Sequence, residues 1–196
     1  MKKVKDRLAA LVPYYDCQGG NATQIYTTDG EVIPDRRTVK WNLRRLARLY
    51  SVDLQAIRSN YGSYLGCRQG VPLALSADLV LIPLKTRTPV GINDGCYGYL
   101  NGVAIEKAGP ASDSPGRCAL TLAGGHRLVC HYSCRTVHDK IRLGQIARDY
   151  YRQERPSQPL PDPRLALLLS PAWWGFLESL VKAMVGEAAG PNGDKK

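Results

Sequence analysis

Eight basic side chains fall between residues 36 and 68: Arg36, Arg37, Lys40, Arg44, Arg45, Arg48, Arg58 and Arg68, opposed by the single acid Asp53. Lys40, Arg44 and Arg48 recur at four-residue spacing with Arg37 slightly around, which aligns them in one stripe if the segment is helical. Like charges so placed repel by roughly 0.2–0.5 kcal/mol per pair, so the stripe does not stabilise the helix that carries it. A polyanion relieves the repulsion, and the counterions it releases make its affinity fall steeply with salt. The chemistry this pattern supports is nucleic-acid binding, and the competing reading is a solvated helix face.

A second cluster, Cys130, His131, Cys134 and His138, has spacing that could hold zinc. Adjacent Cys130 and His131 point to opposite faces of a strand, however, and none of the six cysteines forms a CxxC pair, so buried or idle thiols are expected and no metal is assigned. Catalytic signatures are missing as well. There is no GxSxG, no P-loop and no HExxH, and Gly62, Gly66 and Gly70 are spaced wrongly for a dinucleotide loop. His126 is expected at an exposed hairpin tip, with His131 and His138 as surface or capping residues, and nothing marks a base together with an orienting acid. The expectation is a non-enzyme without a cofactor.

The whole chain shares the charge bias: 196 residues hold 27 Lys plus Arg against 17 Asp plus Glu, a net charge of +10, at an ordinary 44% hydrophobic content. That composition fits one folded domain with a small appendage and favours polyanionic partners. A membrane span needs about 20 apolar residues and a signal peptide an apolar run of about 7–15. Leu8 to Pro13 is too short for either, and Leu165 to Leu177 is broken by Ser170-Pro171, so no integral span is expected and the chain is placed in the cytosol.

The elements that must position the basic residues follow from periodicity. Leu8 to Tyr14 reads as a strand, and Ala22 to Thr27, Asp29-Gly30 and Glu31 to Ile33 as a hairpin. Val39, Leu43, Leu46, Ala47 and Tyr50 then share a helical face. Asp53 caps a second helix bearing Leu54, Ile57 and Tyr61 and ending at Gly62, so two helices meet at Ser51-Val52. Strands follow at Pro72 to Leu75, Leu79 to Leu84 and Cys96 to Lys107, then a hairpin of Arg117 to Leu122 and Arg127 to Tyr132 across Gly124-Gly125. A last core helix opens at Thr136-Val137-His138-Asp139, weakened in the middle by Gly144.

The fold class expected is α+β: a mostly antiparallel sheet with an inserted helix pair, a long helix after the last hairpin, and a C-terminal helical appendage. The domain plan is a core over 1–155, a Pro-rich linker over 156–163, an amphipathic helix over 164–187 and a loose tail over 188–196.

In order along the chain, Pro13-Tyr14-Tyr15-Asp16 with Gly20 to Ile25, Asn60 to Arg68, Pro72-Leu73 with Leu79 to Leu84, and Ala123 to Leu128 before the long helix resemble the ComK family of competence transcription factors. The likeness covers roughly Leu8 to Tyr151. It departs in being shorter between Arg68 and Pro72 and in placing Leu and Tyr at aromatic positions, Phe176 being the only phenylalanine. The resemblance implies a transcriptional activator of DNA-uptake genes that binds paired AT-rich boxes of double-stranded DNA through the minor groove as a dimer and is removed by adaptor-directed proteolysis. It makes Arg68 a DNA contact. The charge argument adds Lys40, Arg44, Arg45, Arg48 and Arg58, and Lys85 and Arg87 join by lying on a neighbouring turn.

Two other readings stay open. Leu46 to Arg58 followed by Leu79 to Pro83 also looks like a LysM glycan-binding module, and it has the outline of a helix-turn-helix. The Trp173-Trp174 helix would suit an adaptor at a membrane surface or a protein interface, against plain core packing or dimerisation.

Overall fold

The run Leu79 to Leu84 has no polar side, so a strand made from it needs cover on both faces. The structure, a computed structural model that describes residues 1–92 and 94–154, supplies that cover. One sheet comprises β1 (Leu8–Tyr15), β2 (Asn21–Thr27), β3 (Val32–Asp35), β4 (Leu73–Ser76), β5 (Leu79–Lys85) and β6 (Tyr97–Asn101), in the order β3-β2-β1-β6-β5-β4. Every pairing in it is antiparallel. A smaller antiparallel sheet is built from β7 (Ile105–Pro110), β8 (Cys118–Leu122) and β9 (His126–Cys130). The helices are α1 (Val39–Leu49), α2 (Leu54–Tyr64) and α3 (Cys134–Glu154).

Alternation along β5 sorts the core into two layers. Leu79 and Leu81 join Leu11, Leu73 and Leu75 beneath Val39, Leu43 and Leu46 of α1. Ile82 and Leu84 turn the other way, to Val12, Leu100, Leu120, Leu122 and Val137 of α3. Each such fully buried aliphatic side chain contributes roughly 1.5–3 kcal/mol of transfer free energy. At the β4 margin a third cluster, Tyr61, Val71, Ala74, Val80 and Ala147, joins α2 to α3. Both helices thereby pack against β4, the edge strand on this side. At the opposite margin, β3 carries Pro34, which cannot donate to a further strand.

The α+β expectation holds, with the helix pair between β3 and β4 and the long helix after the last hairpin. Its details need correction in four places. The expected strand from Cys96 to Lys107 is two strands in different sheets, parted by a 3-10 turn at Gly102–Ala104. Asn101 makes that break: its side chain donates to the carbonyls of Leu8 and Asp78 at 3.1 Å and accepts from Val80 and Val103.

α2 runs through Gly62 to Tyr64 and stops where Gly66 adopts φ +64°, with Cys67 N donating to Gly62 O at 2.8 Å. α3 starts at Cys134 and is capped by the Ser133 hydroxyl, which accepts from Thr136 N, so Thr136 is inside the helix and not its cap. His126 is half-buried, its Nε2 2.9 Å from the Thr27 carbonyl oxygen and its ring edge-on to Tyr26. The β8–β9 tip docks on the β2–β3 turn and is not free in solvent.

Residues 1–154 form one compact unit. The linker, the Trp173-Trp174 helix and the tail proposed from sequence lie outside the described residues. Among the described residues, no helix is long and apolar enough to cross a membrane.

Candidate nucleic-acid interface

α1 begins where the Thr38 hydroxyl accepts from Trp41 N at 3.3 Å, and its amphipathic period buries Val39, Leu43, Leu46 and Ala47. The opposite side is left to Lys40, Arg44 and Arg48, all exposed. The chain turns at Ser51, which takes φ +53°, and α2 is then capped by the Asp53 carboxylate accepting from Gln55 N at 2.7 Å. This short connection folds α2 beside α1 and opens a groove of about 540 Å³ between the helix pair and β6. Lys40, Arg44 and Arg48 line it from α1, Arg58 from α2, and Tyr97 and Tyr99 from β6. Ala47, Val52 and Leu54 give it an apolar lining.

Among the described residues, none of the eight basic side chains from Arg36 to Arg68 forms an ion pair; the ion pairs that exist involve Lys5, Arg7, Arg127 and Arg148. The two carboxylates closest in sequence serve backbone amides, Asp53 at the cap of α2 and Asp35 accepting from Arg37 N at 2.9 Å. Asp53 also lines the groove, so Lys40, Arg44, Arg48 and Arg58 leave a net positive charge there for an outside anion, in a concave site with apolar walls that concentrate its field.

The eight residues expected in the interface do not all meet. Lys40, Arg44, Arg48 and Arg58 share the groove. Arg58 also lines a shallower cleft of about 440 Å³ with Arg68, Gly62 and Gly66. Arg45 lies apart: its guanidinium is 5.3 Å from the exposed Trp41 ring, which Arg37 covers at 3.9 Å from the other direction along the helix.

Lys85 pairs in register with Tyr97 at the end of β5, and its ammonium is 5.9 Å from the Tyr132 ring, outside the groove lining. Arg87 stacks on Tyr15 at 4.1 Å and donates to Gly95 O at 2.7 Å and to the Asn21 side chain. It works as a brace of the β5–β6 loop.

That brace centres on Asp94. Its carboxylate accepts from the Tyr15 hydroxyl at 2.5 Å, Asn21 Nδ2 at 2.6 Å and Gly91 N at 2.7 Å, and the Tyr15 oxygen in turn accepts from Val90 N at 2.8 Å. The Tyr15 hydrogen bond, then those of Asn21 and Gly91, with the charge of Arg87 behind them, hold the Asp94 carboxyl well below the usual carboxylate range.

Two of the cysteines, Cys118 and Cys130, behave as packing residues. Cys118 and Cys130 face each other in register on β8 and β9 and are fully buried, and burial, followed by the neighbouring Cys134, pushes the Cys118 thiol up to about 12. Among the described residues, no group of three or more His, Cys, Asp or Glu side chains could hold a metal ion. Burial and then the nearby Arg117 and Lys85 push the His131 ring below its ordinary value.

Tyr97 and Tyr99 were not anticipated as site residues. They sit two apart on one strand and so face the same way, a signal the sequence carries, but nothing local ties them to helices forty residues earlier. No protein family, curated protein or solved structure matches the chain.

Proposed function

We propose that the protein is a DNA-binding transcriptional activator of the competence type, similar to the ComK family, that binds AT-rich double-stranded DNA as a dimer. One observation carries the reading: four cations from two helices, Lys40, Arg44, Arg48 and Arg58, converge on one groove, outnumber the single carboxylate Asp53 that lines it, and form no ion pair among the described residues. Uncompensated Arg and Lys are drawn to the narrow, strongly negative minor groove of A-tracts, and this selects sequence without base-edge hydrogen bonds. The exposed face of α2 adds Gln55, Ser59 and Asn60, whose side chains can donate to phosphates and both donate to and accept from base edges. Regulation by adaptor-directed proteolysis belongs to the same proposal.

The test is fluorescence anisotropy of the full chain with a duplex bearing paired A and T runs and with a GC-rich duplex of equal length, across a salt series. Preference for the AT-rich duplex that survives rising salt is the expected result. Equal binding erased by salt would reduce the groove to a generic polycation, and no binding to either duplex at low salt would overturn the reading.

A further inference from the structure

The β5–β6 loop presents two large aliphatic side chains to solvent: Val90 is 87% exposed and Ile92 105%. Isolated exposed aliphatics are ordinary on protein surfaces, but these sit on a loop whose backbone is held from beneath. Val90 N donates to the Tyr15 oxygen, Gly91 N to Asp94, and Asp94 is itself gripped by Tyr15 and Asn21 while Arg87 crosses to Gly95 O. With these bonds made, the tip cannot fold back to cover its own apolar groups. Its conformational entropy is lost on folding and not on binding, which is the property of a preorganised contact.

The place of the loop indicates what it meets. Its stem residue Gly95 and the following Tyr97 line the groove that Lys40, Arg44, Arg48 and Arg58 line from the helices. The loop's one described acid, Asp94, turns its carboxylate onto Tyr15, Asn21 and Gly91 N, and the positive Arg87 nearby offsets its charge. A polyanion drawn into the groove therefore meets, at Gly95, the stem of the loop that carries the two aliphatic side chains three and five residues earlier. A lipid surface would gain little from only two of these. A base step needs no more, because proteins of the minor groove kink duplexes with single apolar side chains inserted between bases.

We propose that Val90 and Ile92 form an apolar wedge that enters a base step of duplex DNA at the margin of the basic groove, unstacking it and bending the helix. The inference rests on the nucleic-acid reading of the groove and adds to it how the DNA is deformed. Flexible steps such as TA, which unstack easily, would be favoured at the wedge position.

The experiment uses the full chain and a duplex with paired A and T runs, dye-labelled at both ends, with 2-aminopurine at the junction between the runs. The wild type should raise energy transfer between the ends, consistent with a bend of roughly 20–90°, and raise 2-aminopurine fluorescence several-fold. Val90→Ser with Ile92→Ser should bind with the same salt slope, since the groove is intact, and lose both signals. Both side chains are exposed, so an unchanged thermal unfolding curve will verify the fold.

If the double variant bends and unstacks the duplex as the wild type does, or if the wild type binds a straight, stacked duplex, the wedge is overturned while the groove reading stands. If the wild type binds no duplex at low salt, the groove reading fails and takes the wedge with it. Binding of the wild type to phosphatidylcholine vesicles containing phosphatidylserine, lost in the double variant, would assign the loop to lipid and overturn the proposal.

Discussion

The Tyr15 hydroxyl donates to the Asp94 carboxylate at 2.5 Å across 79 residues of chain, and this bond joins the end of β1 to the loop between β5 and β6. The carboxyl group is held charged by that bond, by Asn21 and by Gly91 N, so its folded value lies below its unfolded one. A depressed carboxylate adds stability above the unfolded value of about 3.9 and loses it only as pH falls through the folded value. The loop should therefore keep its structure at pH 4, where a free aspartate is half protonated. Asp94→Asn keeps an acceptor and loses the charge, and amide exchange at Val90 and Gly91 should accelerate several-fold, measured by NMR. Exchange unchanged from wild type would show that the brace lies elsewhere.

Groove and non-groove cations separate in the salt dependence. Replacing Arg44, Arg48 and Arg58 by Ala should lower affinity for the AT-rich duplex and flatten the slope of log K against log salt by up to about 2.7, near 0.9 for each phosphate left unneutralised. Arg45→Ala removes a cation that leans on Trp41 outside the groove, so its slope should stay close to that of wild type. Equal weakening in both variants would mean that the charge acts diffusely and the groove has no special part.

Gly144 is tolerated in the middle of α3 because a Cβ there would lie 2.7 Å from Ile82 Cδ1. Alanine improves helix propensity by about 1 kcal/mol, whereas forcing a methyl into a packed core costs about 1–3 kcal/mol. Gly144→Ala should therefore be net destabilising, with a midpoint of thermal unfolding a few degrees lower. Adding Ile82→Val removes the nearer Cδ1 and leaves Cγ1, 2.9 Å from the added Cβ, so the two changes together should cost less than the sum of each alone while some of the clash remains.

Thiol reactivity should follow burial. Cys17 is exposed and will react with an aromatic disulfide reagent in the native state, whereas Cys118 and Cys130 will react only on unfolding. Fast native labelling of Cys118 would contradict the packing of the small sheet against α3.

What the sequence made legible was local. The face of α1, the Asp53 cap, the Asp29-Gly30 turn and the β8–β9 hairpin each depend on residues within a few positions of one another. The basic stripe was legible for the same reason, and it lies where its spacing put it. Long-range partners were not legible. The alternation of β6 continues past Asn101 as if one strand went on, and only the distant Leu8 and Asp78 carbonyls explain why the chain turns there. The apolar period of α1 also passes over Asn42, which is fully buried although polar and whose amide atoms find no partner among the described residues. Arg87 read as a free cation because its stacking partner, Tyr15, is 72 positions away in the chain.

β1 lies against β6, pairing Ala10 with Leu100 and Leu11 with Tyr99, while the helix pair is made between them in the chain. Contacts so far apart are slow to form, because a long loop must close before they are rewarded. The helices can nucleate early, but the tyrosine wall opposite them arrives only when β6 inserts at the centre of the sheet. A nascent chain that has emerged only as far as α2 thus displays the cations without the groove, and it should bind polyanions loosely and without discrimination. Selectivity is acquired late in folding, and a fragment ending before β6 should keep the charge and lose the choice.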